Sequence, residues 1–189
     1  MKLLEEYIKN EGKIINGNIL KVDQFINHQI NPSLMMEIGL ELANYFKDKG
    51  INKILTIETS GIAPALMCAL KMDLPLVFAK KSIPSTMNES YHTKVKSFTK
   101  NKIYDIVVAK EFINKEDKIL FIDDFLANGE AFKGIEDIIN QAGAQIMGVG
   151  IIIDKTFQSG HEYIINQGYD LLSLAKIRKL EDGDIEFLS

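Results

Sequence analysis

The sequence predicts an α/β fold in which helices flank a mostly parallel sheet. Apolar runs of strand length alternate with segments of helical period over most of the chain. Strands that are joined by helices run parallel, and both faces of their sheet are covered. The 189 residues are 46% hydrophobic and 25% charged, which suits one domain with a complete core. Because no repeat or linker divides the sequence, we predict a single domain over residues 1–189.

The N-terminal residues predict a helix, a hairpin and a second helix. Residues 2–11 place apolar side chains on one helical face, and Asn16-Gly17 lies between two apolar pairs, as in a hairpin turn. At Asn31-Pro32 a capping residue precedes a proline that suits the first turn of a helix. The second helix is therefore predicted to begin there.

The rest of the chain predicts alternating strands and helices. Short apolar runs indicate strands, and apolar positions at helical spacing indicate helices. The predicted strands are 53–58, 75–79, 103–109, 118–122, 145–153, 171–175 and 185–188. The predicted helices are 62–72, 130–141 and 162–167. Residues 82–101 are polar and lack helical spacing, which predicts a long loop with space for a hairpin.

Composition excludes several classes of protein. A net charge of −4 is unlike that of a nucleic-acid binder. The single cysteine, Cys68, cannot form an intramolecular disulfide, as is typical of a reducing compartment. No apolar run reaches the roughly 18 residues of a membrane helix, and acids stand where a signal peptide is apolar. We expect a cytoplasmic protein. His28, His92 and His161 share no metal-ligand spacing, so we expect no metal site built by the protein.

The strongest functional signal is the segment 119–131. Four apolar residues predict a buried strand, and Asp123 and Asp124 follow at its carboxyl end, ahead of a short turn and a helix. Ligands of open α/β sheets bind beyond the carboxyl ends of the strands. The amides of the turn and the helix N-terminus form a cradle for a phosphate, and the carboxylates can accept ribose hydroxyl protons or hold water on Mg²⁺. The alternative is that Asp124 only caps the helix. Glu130 is expected to turn toward solvent, because its charge would oppose a phosphate.

Three other segments are candidates for the same site. Residues 56–64 again form a strand end, a small-residue turn and a helix start, although Ser60 as a cap and Gly61 as a turn residue explain them equally well. Residues 80–102 have the length of a functional lid or of a disordered loop, and their lysines are equally explained as solvated charges. Lys155 follows a buried strand and so emerges at the same sheet edge as the acids, unless it is an ordinary surface lysine.

Taken whole, the segment 119–131 resembles the phosphoribosyl pyrophosphate (PRPP) signature of type I phosphoribosyltransferases. The usual loop has Thr-Gly where this chain has Asn128-Gly129, and that departure is similar to the bacterial xanthine phosphoribosyltransferases. The resemblance covers nearly the whole chain. Its further matching segments are 20–23, 27–29, 60–65, 97–100, Lys155 and 157–158.

The resemblance implies transfer of the 5-phosphoribosyl group from PRPP to N9 of xanthine in purine salvage. Asp123 and Asp124 would be the catalytic residues that position the ribose. The residues implied in PRPP binding are Ala127, Asn128, Gly129, Glu130, Ala131, Ser60, Gly61 and Lys81, with Lys80, Ser97 and Lys100 as further lid candidates. The residues implied in xanthine binding are Leu20, Asn27 and Lys155.

The resemblance also implies a cofactor, an assembly and two mobile parts. Mg²⁺ would arrive with PRPP, and the protein would be a homodimer with small-molecule substrates. Residues 1–30 would form a hood over the base, and residues 80–102 would be a flexible lid over PRPP. Lysine is only a donor, so Lys155 would suit a 6-oxo acceptor and discriminate against the 6-amino group of adenine.

Two alternatives to xanthine transfer stay open on the sequence. One is an enzyme that prefers guanine or hypoxanthine, because the sequence does not locate the contact to position 2 of the purine. The other is a PRPP-sensing transcription regulator on the same fold. Such a regulator needs a basic DNA-binding surface, and the net charge of −4 argues against one.

Overall fold

Apart from one strand inside the predicted loop 82–101, helices and strands follow one another in the order that the sequence predicts. The computed structural model describes residues 1–17, 19–83, 89–97, 102–181 and 183–188. The described α-helices are α1 (Lys2–Glu11), α2 (Pro32–Phe46), α3 (Ile62–Met72), α4 (Glu130–Ala142) and α5 (Ser159–Asn166). The described strands are β1 (Lys13–Ile15), β2 (Ile19–Lys21), β3 (Lys53–Ile57), β4 (Leu76–Ala79), β5 (Ser90–Ser97), β6 (Lys102–Ala109), β7 (Lys118–Leu126), β8 (Gln145–Lys155), β9 (Leu171–Glu181) and β10 (Asp184–Phe187).

A six-stranded sheet forms the centre of the molecule. Its strand order is β10-β9-β8-β7-β3-β4, in which only β10 runs antiparallel to its neighbour. The predicted fold class, a mostly parallel sheet flanked by helices, is confirmed. Because β3, β7 and β8 lie side by side and run parallel, the segments that follow them open at one edge of the sheet.

The sheet has a hydrophobic core on each face. Side chains alternate along β7, so that Ile122 packs with α1, α2 and α3 while Phe121 packs with α4, α5 and the hairpin β5–β6. Leu4 and Ile8 of α1 are fully buried in the first of these cores. In the part of the chain that the structure describes, none of the helices has the length and apolar character that crossing a membrane requires.

The hairpin and the helix start predicted near the N-terminus are both present in the structure. Asn16 and Gly17 both have positive φ, 52° and 77°, and β1 pairs antiparallel with β2 across them. The side chain of Asn31 accepts a hydrogen bond of 3.1 Å from the backbone N–H of Leu34, and Pro32 occupies the first turn of α2. The predicted start of α2 is confirmed.

β7, β8 and β9 are longer than predicted, and β9 extends to Glu181 instead of ending at residue 175. β7 runs through Asp123 and Asp124 to Leu126, and β8 includes Lys155. The physical reason is that β7 and β8 keep pairing beyond the apolar run, with Asp123 opposite Ile151 and Leu126 opposite Asp154. The acid pair therefore belongs to the last residues of a strand and not to the turn after it.

The predicted loop 82–101 contains a strand. β5 pairs antiparallel with β6 over its whole length, and this hairpin lies outside the central sheet. It packs on α4 at Gly134, where an added Cβ would lie 2.5 Å from Val95. Buried Val95 and half-buried Thr93 alternate with exposed Lys94, a period of two that could have identified the strand. The loop candidate Lys100 lies outside the described residues.

Candidate active site

Two adjacent carboxylates lie at the carboxyl end of β7. Asp123 is 7% exposed, and its Oδ1 accepts a hydrogen bond of 3.0 Å from the backbone N–H of Asp124. Burial raises the pKa of the Asp123 carboxyl well above its usual range, and the charge of Asp124 raises it further. Burial also raises the pKa of Asp124. Because burial makes the ionised form of this pair costly, hydroxyl groups of a ligand that donate hydrogen bonds to the carboxylates would stabilise that form.

The helix-cap interpretation of these segments is wrong. Asp124 lies inside β7, and the cap position before α4 is taken by Gly129, whose φ of 81° suits glycine. The cap position before α3 is likewise taken by Gly61, not by Ser60. Neither helix has a side-chain cap, so the acids and Ser60 are not engaged in capping these two helices.

The turn after β7 is packed against the first turn of α5. The backbone N–H of Gly160 donates to the carbonyl of Ala127 at 3.0 Å, and the hydroxyl of Ser159 donates to the carbonyl of Asn128 at 3.3 Å. A Cβ on Gly160 would lie 2.5 Å from the Ala127 oxygen and 2.7 Å from the nitrogen of Gly129. This close approach requires glycine at position 160. Sequence reasoning missed Gly160, because its role comes from packing between segments that are distant in the chain.

Glu130 is paired at the start of α4. Its carboxylate lies 2.8 Å from Nζ of Lys133, and the two side chains are 39% and 40% exposed. The expected turn toward solvent is therefore partial. Lys133 offsets the negative charge of Glu130 beside the turn after β7.

The loop after β3 approaches the acid pair from the neighbouring strand. Its peptide bond between Glu58 and Thr59 is cis. Gly61 lies so close to the acids that a Cβ there would be 3.4 Å from Oδ1 of Asp123. The backbone N–H of Lys81 donates to Oε1 of Glu58 at 2.7 Å, which connects the segment after β4 to this loop. Ser60, Gly61 and Lys81 thus lie at the sheet edge that carries the acids.

Gly61→Ala is expected to destabilise the protein. The new Cβ would lie 2.2 Å from Oγ1 of Thr56, which is fully buried, so that Thr56 or the backbone would have to shift. Overpacking of this kind costs about 1–3 kcal/mol in the free energy of unfolding, which urea titration measures. The double variant Thr56→Ala, Gly61→Ala removes the obstructing oxygen and is expected to recover part of that loss relative to Thr56→Ala alone. Equal stability of Gly61→Ala and the unchanged protein would contradict the close contact.

A lysine and a tyrosine from outside the two loops face the acid pair. The charge of Lys81 lowers the pKa of both Asp123 and Asp124, and its Nζ lies 5.7 Å from the ring centroid of Tyr104. Burial raises the pKa of Tyr104, and the charges of Asp123 and Glu130 raise it further. Sequence reasoning missed Tyr104. It shares a face of β6 with buried apolar residues, and that alternation could have identified it as pointing inward.

Lys155 lies on β8, which flanks β7 on the side opposite to β3. It ends β8, is half-buried, and places Nζ 5.7 Å from the ring centroid of Phe125. Burial lowers the pKa of Lys155, so it is not an ordinary surface lysine. Phe125 packs against the core cluster that contains Leu20, which is 5% exposed, whereas Asn27 is exposed. Phe157 is 46% exposed, so it does not belong to the core.

Two of the remaining lid candidates, Lys80 and Ser97, lie beside or on the β5–β6 hairpin. Nζ of Lys80 lies 5.4 Å from the ring centroid of Phe78, and its backbone pairs with Val107. Ser97 is the last residue of β5. Among the described residues, no three His, Cys, Asp or Glu side chains gather in a group that could hold a metal ion.

Comparison with known proteins identifies related chains. A family model described as "Phosphoribosyl transferase domain" matches residues 27–169. A xanthine phosphoribosyltransferase of Macrococcus caseolyticus is 51% identical over 186 residues, which cover 98% of this chain and 96% of that one. One of Staphylococcus aureus is 50% identical over 186 residues, covering 98% and 97%. The solved adenine phosphoribosyltransferase of Rhodothermus marinus superposes with a TM-score of 0.73 at 18% identity, covering 93% of this chain and 99% of that one, and this likeness concerns the fold alone.

Proposed function

The chain belongs to the phosphoribosyl transferase domain family, and from this premise we propose that it transfers the 5-phosphoribosyl group of PRPP to N9 of xanthine. The bond between C1′ and a pyrophosphate oxygen breaks, the bond between C1′ and N9 forms, and N9 loses its proton. The products are xanthosine 5′-monophosphate and pyrophosphate. The observation that carries the proposal is the identity of 50–51% to xanthine phosphoribosyltransferases over nearly the full length of the chain. The site supports it, because buried Asp123 and half-buried Asp124 lie beside a glycine turn that opens a helix.

The acid pair is assigned to the ribose. Asp123 and Asp124 would accept hydrogen bonds from its 2′- and 3′-hydroxyls, which suits carboxylates whose burial makes the charged form costly. The backbone amides of Ala127–Ala131, at the N-terminus of α4, would hold the 5′-phosphate. Ribose and phosphate would then be fixed on either side of C1′, so that little reorganisation precedes bond breaking.

The loop after β3 and Lys81 are assigned to the pyrophosphate. Negative charge gathers on the pyrophosphate as its bond to C1′ breaks, so the amides of Ser60 and Gly61 and the ammonium of Lys81 would stabilise the transition state more than the bound substrate. We further propose that residues 80–102 act as a lid. A closed lid would keep water from attacking the activated sugar.

Lys155 is assigned to the purine. Its ammonium can only donate, so it would bind the 6-oxo oxygen of xanthine and reject the 6-amino group of adenine. Leu20 and Asn27 are assigned to the base from a hood formed by residues 1–30. The packing of α1 into the core of the sheet supports a hood that is held firmly in place.

Mg²⁺ is proposed to enter with PRPP. Bound Mg²⁺ neutralises charge on the pyrophosphate when it leaves. The donor set fits this mode, because Asp123 and Asp124 offer two carboxylates at the sheet edge while the described residues hold no cage of three ligands. An ion that keeps several waters and binds substrate phosphates needs no cage.

Magnesium is therefore expected to be required for turnover and to bind weakly without PRPP. Chelation should lower the rate of xanthosine 5′-monophosphate formation by at least about a hundredfold, and added Mg²⁺ should restore it. Calorimetric titration of Mg²⁺ into the protein should show no tight binding until PRPP is present. Tight binding to the protein alone would contradict a substrate-borne ion.

The proposed function is tested by a PRPP-dependent assay across xanthine, guanine, hypoxanthine and adenine. Formation of each nucleotide is followed by chromatography, and the four values of kcat/KM are compared. The highest value for xanthine supports the proposal. A higher value for guanine or hypoxanthine would reassign the substrate within the family, and no turnover of any purine would refute the transfer activity.

A homodimer in the cytoplasm is proposed for the working protein. The free, buried Cys68 suits a reducing compartment. The exposed side chains of Leu66, Leu70 and Phe78 border an apolar groove of about 680 Å³ between α3 and the edge strand β4. An apolar patch beside an unpaired strand edge is the kind of surface that a second subunit covers.

Leu70→Lys is expected to weaken that dimer. Leu70 is 67% exposed, so the substitution leaves the fold of the subunit intact, but a charge would be buried between two copies. Light scattering after size exclusion should show a shift toward monomer. The matched control is Ile165→Lys on α5, which is 50% exposed and far along the chain from the groove. The same shift in both variants, or no shift in Leu70→Lys, would contradict an interface at α3.

A further inference from the structure

One buried carboxylate has no part in the chemistry described above. Asp154, near the end of β8, is fully buried. Its Oδ2 accepts hydrogen bonds of 2.6 Å from Nδ1 of His161 and of 2.6 Å from the hydroxyl of Ser173, and among the described residues its Oδ1 has no partner. Burying a carboxylate costs free energy, which its two hydrogen bonds offset only in part. The position of Asp154 therefore requires an explanation.

These hydrogen bonds join the strands of the sheet to the first turn of α5. Asp154 lies opposite Leu126, the last residue of β7 before the turn that would hold the phosphate. His161 follows Gly160 directly, and Gly160 donates to the carbonyl of Ala127 in that turn. α5 is only eight residues long, and Gln158 at its cap position makes no side-chain capping bond. The contact between His161 and Asp154 therefore takes the place of a helix cap in fixing this end of α5.

The first turn of α5 fixes the direction of the amides in the phosphate turn. In a trans peptide the carbonyl and the following N–H point in opposite directions. Gly160 holds the carbonyl of Ala127, and Ser159 holds the carbonyl of Asn128, both toward α5. The N–H groups of Asn128 and Gly129 are thereby turned away from α5.

We propose that Asp154 and His161 are positioning residues for the phosphate turn: they hold the first turn of α5 against Ala127–Gly129, so that the amides of that turn face the 5′-phosphate. This inference rests on the proposed function, because it presupposes a phosphate at this turn. It assigns no direct contact with substrate to Asp154, His161 or Ser173. It predicts that damage to the Asp154–His161 contact weakens one phosphate site and spares the other.

The probes are ribose 5-phosphate, which would occupy the turn after β7, and pyrophosphate with Mg²⁺, which would occupy the loop after β3. Calorimetry gives the Kd of each for the full chain and for His161→Ala, His161→Asn and Glu162→Ala. An asparagine amide can replace Nδ1 as the donor to Asp154. Glu162 is the matched control, since it neighbours His161 on α5 and is exposed.

His161→Ala is expected to raise the Kd of ribose 5-phosphate about tenfold, because one hydrogen bond to a charged group is lost. The Kd of pyrophosphate should stay nearly unchanged. His161→Asn should recover most of that loss, and Glu162→Ala should show none. Ser159→Ala, which removes only the exposed hydroxyl that holds Asn128, gives an independent test and should raise the Kd of ribose 5-phosphate by a smaller factor, about threefold.

The outcomes separate the inference from the proposed function. Equal weakening of both probes by His161→Ala, or no weakening of ribose 5-phosphate, would overturn the inference and leave the transfer activity standing. If the unchanged protein binds ribose 5-phosphate and the variants behave as expected while no purine is converted, the inference holds and the proposed function fails. Failure of the unchanged protein to bind ribose 5-phosphate would also overturn the inference, and the assay across the four purines decides the transfer activity separately.

Discussion

Asp123→Asn is expected to leave a protein that is more stable and nearly inactive. The asparagine amide can accept at its oxygen only, so at least one charge-assisted hydrogen bond to the ribose is lost and the other is weakened. Bonds to charged groups contribute roughly 1.5–3 kcal/mol each, so kcat/KM for PRPP should fall by about a hundredfold or more. Initial rates at saturating xanthine and varied PRPP measure that fall.

The gain in stability follows from the raised pKa of Asp123. The pKa of Asp123 is higher in the folded protein than in the unfolded one. The folded protein therefore loses stability as the pH rises from the ordinary range of an aspartate carboxyl through the raised pKa. Neutral pH lies above the ordinary range of an aspartate carboxyl, so the unchanged protein carries this cost there, and Asp123→Asn carries none. The variant should therefore melt at a higher temperature than the unchanged protein at neutral pH, and the difference should shrink as the pH falls into the ordinary range of an aspartate carboxyl.

Two comparisons make the result specific to the site. Asp124→Asn should also lose activity, whereas Asp48→Asn, which changes an exposed carboxylate outside the site, should change neither activity nor melting temperature. A melting temperature of Asp123→Asn below that of the unchanged protein would show that the carboxylate supports the fold. Unchanged kinetics would remove Asp123 from the ribose site.

Much of the fold could be predicted because local signals agree with the packing. The predicted bounds of α1 and α3 match the structure, since amphipathic spacing and the residues that end each helix coincide there. The ends of β7 and β8 could not be predicted in the same way. Their last residues are charged, and only the continued pairing with neighbouring strands keeps them extended.

In the candidate site, too, residues with a local sequence signal could be predicted, and residues placed by packing between distant segments could not. The acid pair and the two turns could be located from sequence because each follows a buried strand, and the carboxyl ends of neighbouring parallel strands meet at one edge. Tyr104 and Gly160 could not. Tyr104 comes close enough for the charge of Asp123 to raise its pKa because the β5–β6 hairpin packs on α4, and Gly160 contacts the turn after β7 because α5 packs beside it. The alternation in β6 indicates only that Tyr104 points inward, and no local motif indicates which segment lies beside Tyr104 or Gly160.

Lys155→Met is expected to lose recognition of 6-oxopurines while PRPP binding stays nearly intact. Methionine keeps much of the length and the apolar stem that lies near Phe125, but it removes the ammonium donor. A charge-assisted hydrogen bond contributes roughly 1.5–3 kcal/mol, so kcat/KM for xanthine should fall about ten- to a hundredfold. The loss should be larger at a pH where xanthine is anionic, because the missing partner is then a full charge.

Stability provides a control for this variant. Burial lowers the pKa of Lys155, so its charged form costs stability below that lowered value, and the cost disappears as the pH rises above the ordinary lysine range. Lys155→Met should thus be at least as stable as the unchanged protein at neutral pH. Lys176→Met is the matched control, since it removes an exposed lysine from the neighbouring strand β9 and should leave kcat/KM unchanged.

The comparison of substrates decides what Lys155 does. Values of kcat/KM for xanthine and guanine are measured for Lys155→Met and the unchanged protein, and PRPP affinity is measured separately by calorimetry with Mg²⁺. Similar losses for both purines with unchanged PRPP affinity would place the ammonium at the 6-oxo oxygen, the feature that the two share. An equal loss of PRPP affinity would mean that Lys155 serves the phosphates or the fold. If neither purine is affected, the choice of substrate falls to Leu20 and Asn27 in the N-terminal segment, because these are then the remaining residues assigned to the base.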